Sequence, residues 1–158
     1  MLPLIIVLLF LLISSLLTPY FETRLMVRHY ELLNGILGKI CHQYPSRCFY
    51  VFGSNMGLCA RCFSVYSAIM ASSIFYIFVE LKSGWRSRAI VSIILIMPLL
   101  IDGLTQYYHL RVSTNSIRGL TGVMAGLGIS NLLLPFYVSI LRGFKELGRL
   151  IIERRKRS

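Results

Sequence analysis

The residues best suited to chemistry in this chain lie within 22 positions. Cys41-His42-Gln43, Cys48 and Cys59-Ala60-Arg61-Cys62 hold all four cysteines of the 158-residue sequence. The spacing is Cys-x6-Cys-x10-Cys-x2-Cys, with a histidine beside the first thiol. Zinc takes cysteine and histidine ligands, and a closed tetrahedral site uses four of them. Four of Cys41, His42, Cys48, Cys59 and Cys62 therefore make a candidate metal set. Only the Cys59–Cys62 half has knuckle spacing, and adjacent Cys41 and His42 are awkward joint ligands. A second chemistry is structural: in an extracytoplasmic loop, disulfides are the default state, and four cysteines allow three pairings. A third is thiol–disulfide exchange, with Cys59 as attacking thiolate, Cys62 as its resolving partner, and Cys41 and Cys48 as the exchanging pair. A helix N-terminus and Arg61 beside these thiols would lower a thiol pKa. These three readings stay open on spacing alone.

A second constellation ends an apolar run. Asp102, Gln106 and His109 follow one another at i, i+4 and i+7, so they share a helix face. Asp102 lies about six residues inside the end of that run, roughly 9 Å deep at 1.5 Å per residue. An ionised carboxylate at such depth requires a partner or a wet cavity. The following link supplies Arg111, Thr114, Asn115 and Arg118. Its shortness brings Arg118 near Asp102, as a structural ion pair between helices. The sharper reading is a polar pocket, formed by Asp102, Gln106, Arg111, Asn115 and Arg118, for an anionic or amide-bearing ligand.

These side chains must be positioned by membrane-spanning helices. The chain is 56% apolar by the AVILMFWYC count and yet carries a net charge of +11. That pairing excludes a disordered basic tail, and a mean hydropathy of +0.69 excludes a soluble nucleic-acid binder. Uncharged runs predict four spans, at about 2–20, 62–80, 89–108 and 119–141, each near the roughly 20 residues that cross a bilayer. In lipid such spans must be helical, so the expected fold is an all-α integral membrane protein, a four-helix transmembrane domain over 1–141 with the Cys loop 41–62 between its first two helices. Pro98 and Pro135 are tolerated there as kinks. Residues 142–158 form a basic tail, drawn as an amphipathic helix with Leu147, Leu150 and Ile151 on one side. Such a tail suits anionic lipid headgroups; it lacks the interleaved aromatics of a nucleic-acid binder.

Lys and Arg set the orientation. The tail and the 82–88 link together carry ten, against seven on the opposite side. This predicts a cell-membrane protein with both termini cytoplasmic and the Cys loop extracytoplasmic. The first span alone points the other way, since Arg24 and Arg28 follow it and no basic residue precedes it. A cleaved signal peptide over 1–21 is the alternative for that span, although its uncharged run is long and lacks a positive start. Gly122-x3-Gly126 predicts close helix packing within the bundle, with a homodimer or another membrane protein as the second possibility. Asn131 is expected to bond a neighbouring helix, with Ser64, Ser67, Ser72 and Ser73 as candidate partners.

Four motifs in order carry a resemblance: Cys41-His42-Gln43-x-Pro45-x-Arg47, Cys59-Ala60-Arg61-Cys62, Asp102-Gly103-x-Thr105-Gln106, and Ser113-Thr114-Asn115-x-x-Arg118-x-x-Thr121-Gly122. On these the chain resembles an uncharacterised prokaryotic family of multi-pass membrane proteins, a domain of unknown function. The resemblance covers roughly residues 35–135 and leaves out the first span and the tail. The family pattern has a serine where this chain has Cys48. It thus implies a set of three cysteines and one histidine, which favours a metal site, or one bridge plus a reactive thiol, over two structural disulfides. The resemblance implies no activity. The leading expectation is a zinc-like Cys/His cap over the polar pocket. The alternatives are a membrane thiol–disulfide oxidoreductase using Cys59 and Cys62 with a quinone acceptor, and an accessory subunit of a larger membrane complex. Quinone-linked disulfide oxidases of four helices spread their cysteine pairs over separate loops, which this chain does not.

Overall fold

The computed structural model describes residues 1–79 and 84–157, with the backbone alone for 145, 147, 148 and 150–157. Glu80 and Lys82 therefore fall outside the described residues, as do the side chains of Leu147, Leu150 and Ile151, on which the amphipathic reading of the tail depends. The chain runs α1 (Leu2–Thr23), α2 (Val27–Gly38), a short 3-10 turn (Pro45–Arg47), β1 (Cys48–Val51), β2 (Ser54–Cys59), α3 (Ala60–Phe78), α4 (Trp85–Tyr107) and α5 (Asn115–Arg157). Among the described residues, four helices are long and apolar enough to cross a membrane: α1, α3, α4 and α5 as far as Phe144. They begin and end a few residues away from the uncharged runs, because a helix continues past the hydrocarbon into the interface. The helix of the last span also continues without a break at Arg142, so the first part of the tail extends α5.

The loop before α3 holds structure that an all-helical expectation omits. Cys48-Phe49-Tyr50-Val51 is a run of strand-forming residues, and it pairs antiparallel with β2. Between the strands, Phe52 and Gly53 have φ of 51° and 86°. Two successive left-handed residues give the twist a tight hairpin needs, and Gly53 adopts that backbone without strain.

This hairpin rests on α1. Ser15 Oγ accepts from the Leu58 N–H at 3.1 Å, and Ser14, Ser15 and Thr18 form a buried small polar stripe beneath β2. Gly57 makes the close approach feasible, since a Cβ there would lie 2.6 Å from both Thr18 Oγ1 and Leu37 Cδ1. Gln43 ties the layers together. Its Nε2 donates to Asn34 Oδ1 at 2.7 Å on α2 and to Gly57 O at 2.8 Å on β2.

At the centre of the bundle, α5 packs against both α3 and α4. Cβ atoms at Gly122 and Gly126 would lie 2.8 Å from Arg61 O and 2.6 Å from Val65 O, while one at Gly128 would lie 3.0 Å from Ser92 O on α4. The Gly122/Gly126 face is thus filled by α3 within the chain. This is the packing within the bundle that the spacing predicts, with α3 as the partner helix. Asn131 does bond a neighbouring helix, but the partner is α4: its Nδ2 donates to Arg88 O and Ser92 Oγ, both at 3.1 Å. The serines of α3 are not its partners.

Gly126→Ala is expected to destabilise the folded chain in non-ionic detergent by about 1–3 kcal/mol through overpacking against α3. Gly143→Ala, where a Cβ meets nothing within 4 Å, should be neutral or stabilising by up to about 1 kcal/mol from helix propensity. Denaturant unfolding followed by circular dichroism measures both.

Candidate functional site

The α1 C-terminus, α2, the hairpin, the start of α3, the end of α4 and the start of α5 meet at one end of the bundle, and both sequence constellations lie there. Cys59 precedes the first residue of α3 and Cys62 occupies its first turn, so they share a helix face. Cys41 follows α2 and faces them. The Sγ atoms of Cys41, Cys59 and Cys62 all lie within 4.8 Å of one another. The Cys59 N–H donates to Cys41 Sγ at 3.3 Å. Leu37, Leu58, Phe63 and Tyr66 pack around the three.

Cys48 and His42 are placed apart from this triad. Cys48 is opposite Cys59 in the strand register, but its thiol donates to Tyr44 O at 3.3 Å. Burial pushes the Cys48 thiol up to about 11, so it is a neutral, inert group. His42 is exposed and stacks on Tyr44, with ring centroids 6.1 Å apart. All four cysteines are free thiols.

The three thiols shift one another. Hydrogen bonds from the Cys59 thiol and then the Cys62 thiol hold Cys41 far below the ordinary thiol range. Cys59, as donor of that bond, is pushed up. Helix-end activation alone pointed to a thiolate on the CxxC turn. The Cys59 N–H bond to Cys41 Sγ acts in the same, lowering direction on Cys41.

Asp102, 5% exposed, anchors the second constellation. Its direct partner is Arg61 of α3, by ion pair and hydrogen bond. Ser113 Oγ donates to its other carboxylate oxygen, and Gln106 Nε2 donates to Oδ2 at 2.9 Å. Arg111 is more distant, at 3.9 Å and half exposed. Arg118 reaches Asp102 only through Gln106, donating from Nη2 to Oε1 at 3.2 Å. The expected Asp102–Arg118 pair is therefore corrected: the carboxylate clamps α4 to α3, and α5 joins through an amide. Each residue of Ser113-Thr114-Asn115 has its own task. Ser113 holds Asp102, Thr114 Oγ1 accepts from the Ile117 N–H at 3.4 Å at the start of α5, and Asn115 Nδ2 donates to Cys48 O at 2.8 Å.

A cavity of about 300 Å³ opens between the two constellations. Its wall includes Cys41, Cys59 and Cys62, together with Arg47, Arg61 and Arg118. Of the five expected pocket residues, Arg118 lines this cavity. Asp102, Gln106 and Asn115 stand behind the wall and hold its arginines. Sequence reading left out Arg61 and Ser113 from the pocket set. Arg61 had one visible signal, its place between Cys59 and Cys62.

The architecture defines a polytopic membrane protein with its polar chemistry gathered at one end. Residues 41–132 match the family described as "Predicted membrane protein (DUF2085)", and the chain belongs to it. It is similar to an uncharacterized protein of Methanocaldococcus jannaschii, 35% identical over 140 residues, covering 84% of this chain and 90% of the relative. An uncharacterized protein of Methanothermobacter thermautotrophicus is 31% identical over 91 residues, 58% of this chain and 81% of that one. No solved structure matches.

Asp102→Asn leaves the Arg61 guanidinium without a counter-ion and should cost about 3 kcal/mol or more. The double variant Arg61→Met with Asp102→Leu should recover most of that loss, since a buried ion pair is often replaceable by apolar groups. Thermal unfolding of wild type and the two variants in one detergent measures the loss and its recovery.

Proposed function

We propose that the protein holds a zinc-like dication on Cys41, Cys59 and Cys62, as a cap over the polar cavity at the extracytoplasmic membrane face. The observation that carries the reading is the convergence of three free sulfur atoms within 4.8 Å, from two separate parts of the chain. Three protein ligands with an open fourth position is the arrangement of reactive rather than purely structural zinc sites. The open position would face the cavity, which the same three cysteines line. When bound, the ion supplies Lewis acidity to whatever enters. The chain's own residues fix the thiols: Gln43 locks the turn after Cys41, and Arg61 anchors the Cys59–Cys62 turn to Asp102. The excess of Lys and Arg at the tail and the 82–88 link supports cytoplasmic termini, and the tail then lies against anionic headgroups.

Protein purified from membranes is expected to carry one dication per chain by elemental analysis. Co²⁺ exchange should give thiolate-to-metal charge-transfer absorption. Cys41→Ser, Cys59→Ser and Cys62→Ser should each lower occupancy by about tenfold or more, since each removes a ligand, while Cys48→Ser should retain it. A metal-free protein in which two triad thiols become alkylatable only after reduction would replace this reading with quinone-linked thiol–disulfide exchange at Cys59 and Cys62. Sidedness is checked separately in intact cells. A cysteine introduced at Tyr50, whose side chain is 71% exposed, should react with a membrane-impermeant maleimide in a background where the native thiols are blocked or replaced.

A further inference from the structure

The arginine wall of the cavity has donors that the chain itself leaves unused. Arg118 is 6% exposed. Its Nη1 donates to Asn115 Oδ1 at 2.9 Å and to Ser46 O at 3.3 Å, and its Nη2 to Gln106 Oε1. The Nε of Arg118 is buried with no acceptor, and so is the Nε of Arg61. Both residues line the same cavity, from α5 and α3 respectively. Arg47 lines it from the 3-10 turn, its guanidinium 5.1 Å from the Tyr44 ring centroid. Among the described residues, neither Arg47 nor Arg118 has an acid within ion-pair distance, and Asp102 offsets Arg61.

We propose that Arg47, Arg61 and Arg118 together hold a phosphate group in the cavity beside the three thiols. Buried charged donors without acceptors are costly to maintain, and an oxyanion in the cavity that both residues line would bring acceptors beside them. Each guanidinium presents a planar fork that matches two oxygens of a carboxylate or phosphate. Three forks approaching from three elements suit a tetrahedral group with oxygens on every side. A carboxylate, with two oxygens in one plane, can engage only part of such a wall. Charge agrees with this choice. Three guanidiniums against one carboxylate leave the arginine wall positive, and a dication on three thiolates would not reverse the sign of the cavity. The volume, about 300 Å³, accommodates a phosphate or a phosphorylated headgroup. The surrounding network is built to hold these arginines still: Gln106 and Asn115 position Arg118, and Asp102 positions Arg61. The proposal rests on the cavity being a ligand site, as in the reading above, and is independent of the metal.

The test uses the full-length chain in non-ionic detergent, in chloride buffer, with thermal unfolding followed by intrinsic fluorescence. Inorganic phosphate should raise the midpoint saturably, while chloride and acetate at matched ionic strength should not. Arg118→Gln and Arg47→Gln should each weaken the apparent affinity about tenfold or more, as expected for loss of a charge-assisted contact. Arg47→Gln guards against misfolding, because no hydrogen bond to its guanidinium supports the fold among the described residues. Its midpoint without phosphate should match wild type. Dihexanoyl phosphatidic acid separates the two sources of the group. Protection at far lower concentration than inorganic phosphate assigns a lipid headgroup, and equal or weaker protection assigns free phosphate. The basic tail cannot mimic this result, since Arg47→Gln leaves the tail intact. Phosphate protection retained in Cys59→Ser, with metal lost, supports the arginine site even where the metal reading fails. The proposal is overturned if no phosphate probe exceeds chloride and acetate, or if both arginine variants bind phosphate as wild type does.

Discussion

The ion pair between Asp102 and Arg61 is the constraint on which the rest of this end of the molecule depends. A carboxylate inside a membrane-spanning helix is tolerable only with a close cation and further donors. Asp102 has all of these, in Arg61, Ser113 and Gln106. Because Arg61 stands between Cys59 and Cys62, satisfying the carboxylate also fixes the turn that presents two of the three thiols. Because Ser113 precedes α5, the same carboxylate sets where that helix begins. Gln106 passes the constraint to Arg118. One buried charge thus aligns three helices, and the cavity is the space left between the groups that neutralise it and the thiols they position.

The ordering matters for how polarity is distributed. α3 is the least apolar of the spanning helices, with a mean hydropathy of 1.3 in its best window against 2.5 for α1. Part of its polar content lies where it meets α5: Ser64 is buried beside Gly119 and Gly122. Small residues on both helices let the backbones approach within contact of one another. That closeness puts the first turns of α3 and α5 side by side, and so brings Arg61 and Arg118 to one cavity wall.

Much of this was legible in the residues. Uncharged runs located the four spanning helices, since the cost of burying Lys, Arg, Asp or Glu in lipid leaves few other places for them. The close packing at Gly122 and Gly126 was likewise readable, from the spacing of two small residues. The hairpin was not, because two strands of four and six residues lack the length for an alternating signal. The polar network was half readable. Helical spacing put Asp102 and Gln106 on one face, but sequence proximity then favoured Arg118 as counter-ion over Arg61, 41 residues away. Contacts between spans distant in sequence depend on how the bundle closes, which no local pattern states. For the same reason the thiol cluster could be expected as four ligands from five candidates, while the bulged register that turns Cys48 toward Tyr44 O lay beyond reach.

The seat of the hairpin on α1 has a consequence for the life of the chain. Ser15 and Thr18 lie under the strand that leads into Cys59, and Gly57 has no side chain so that it can settle on them. A leader peptide is disposable because nothing downstream leans on it. Here the first helix is part of the foundation: were it cut away after membrane insertion, Leu58 would lose its amide acceptor and the strand its supporting floor. The first helix and the hairpin thus share one packing surface, on which the strand leading into Cys59 depends.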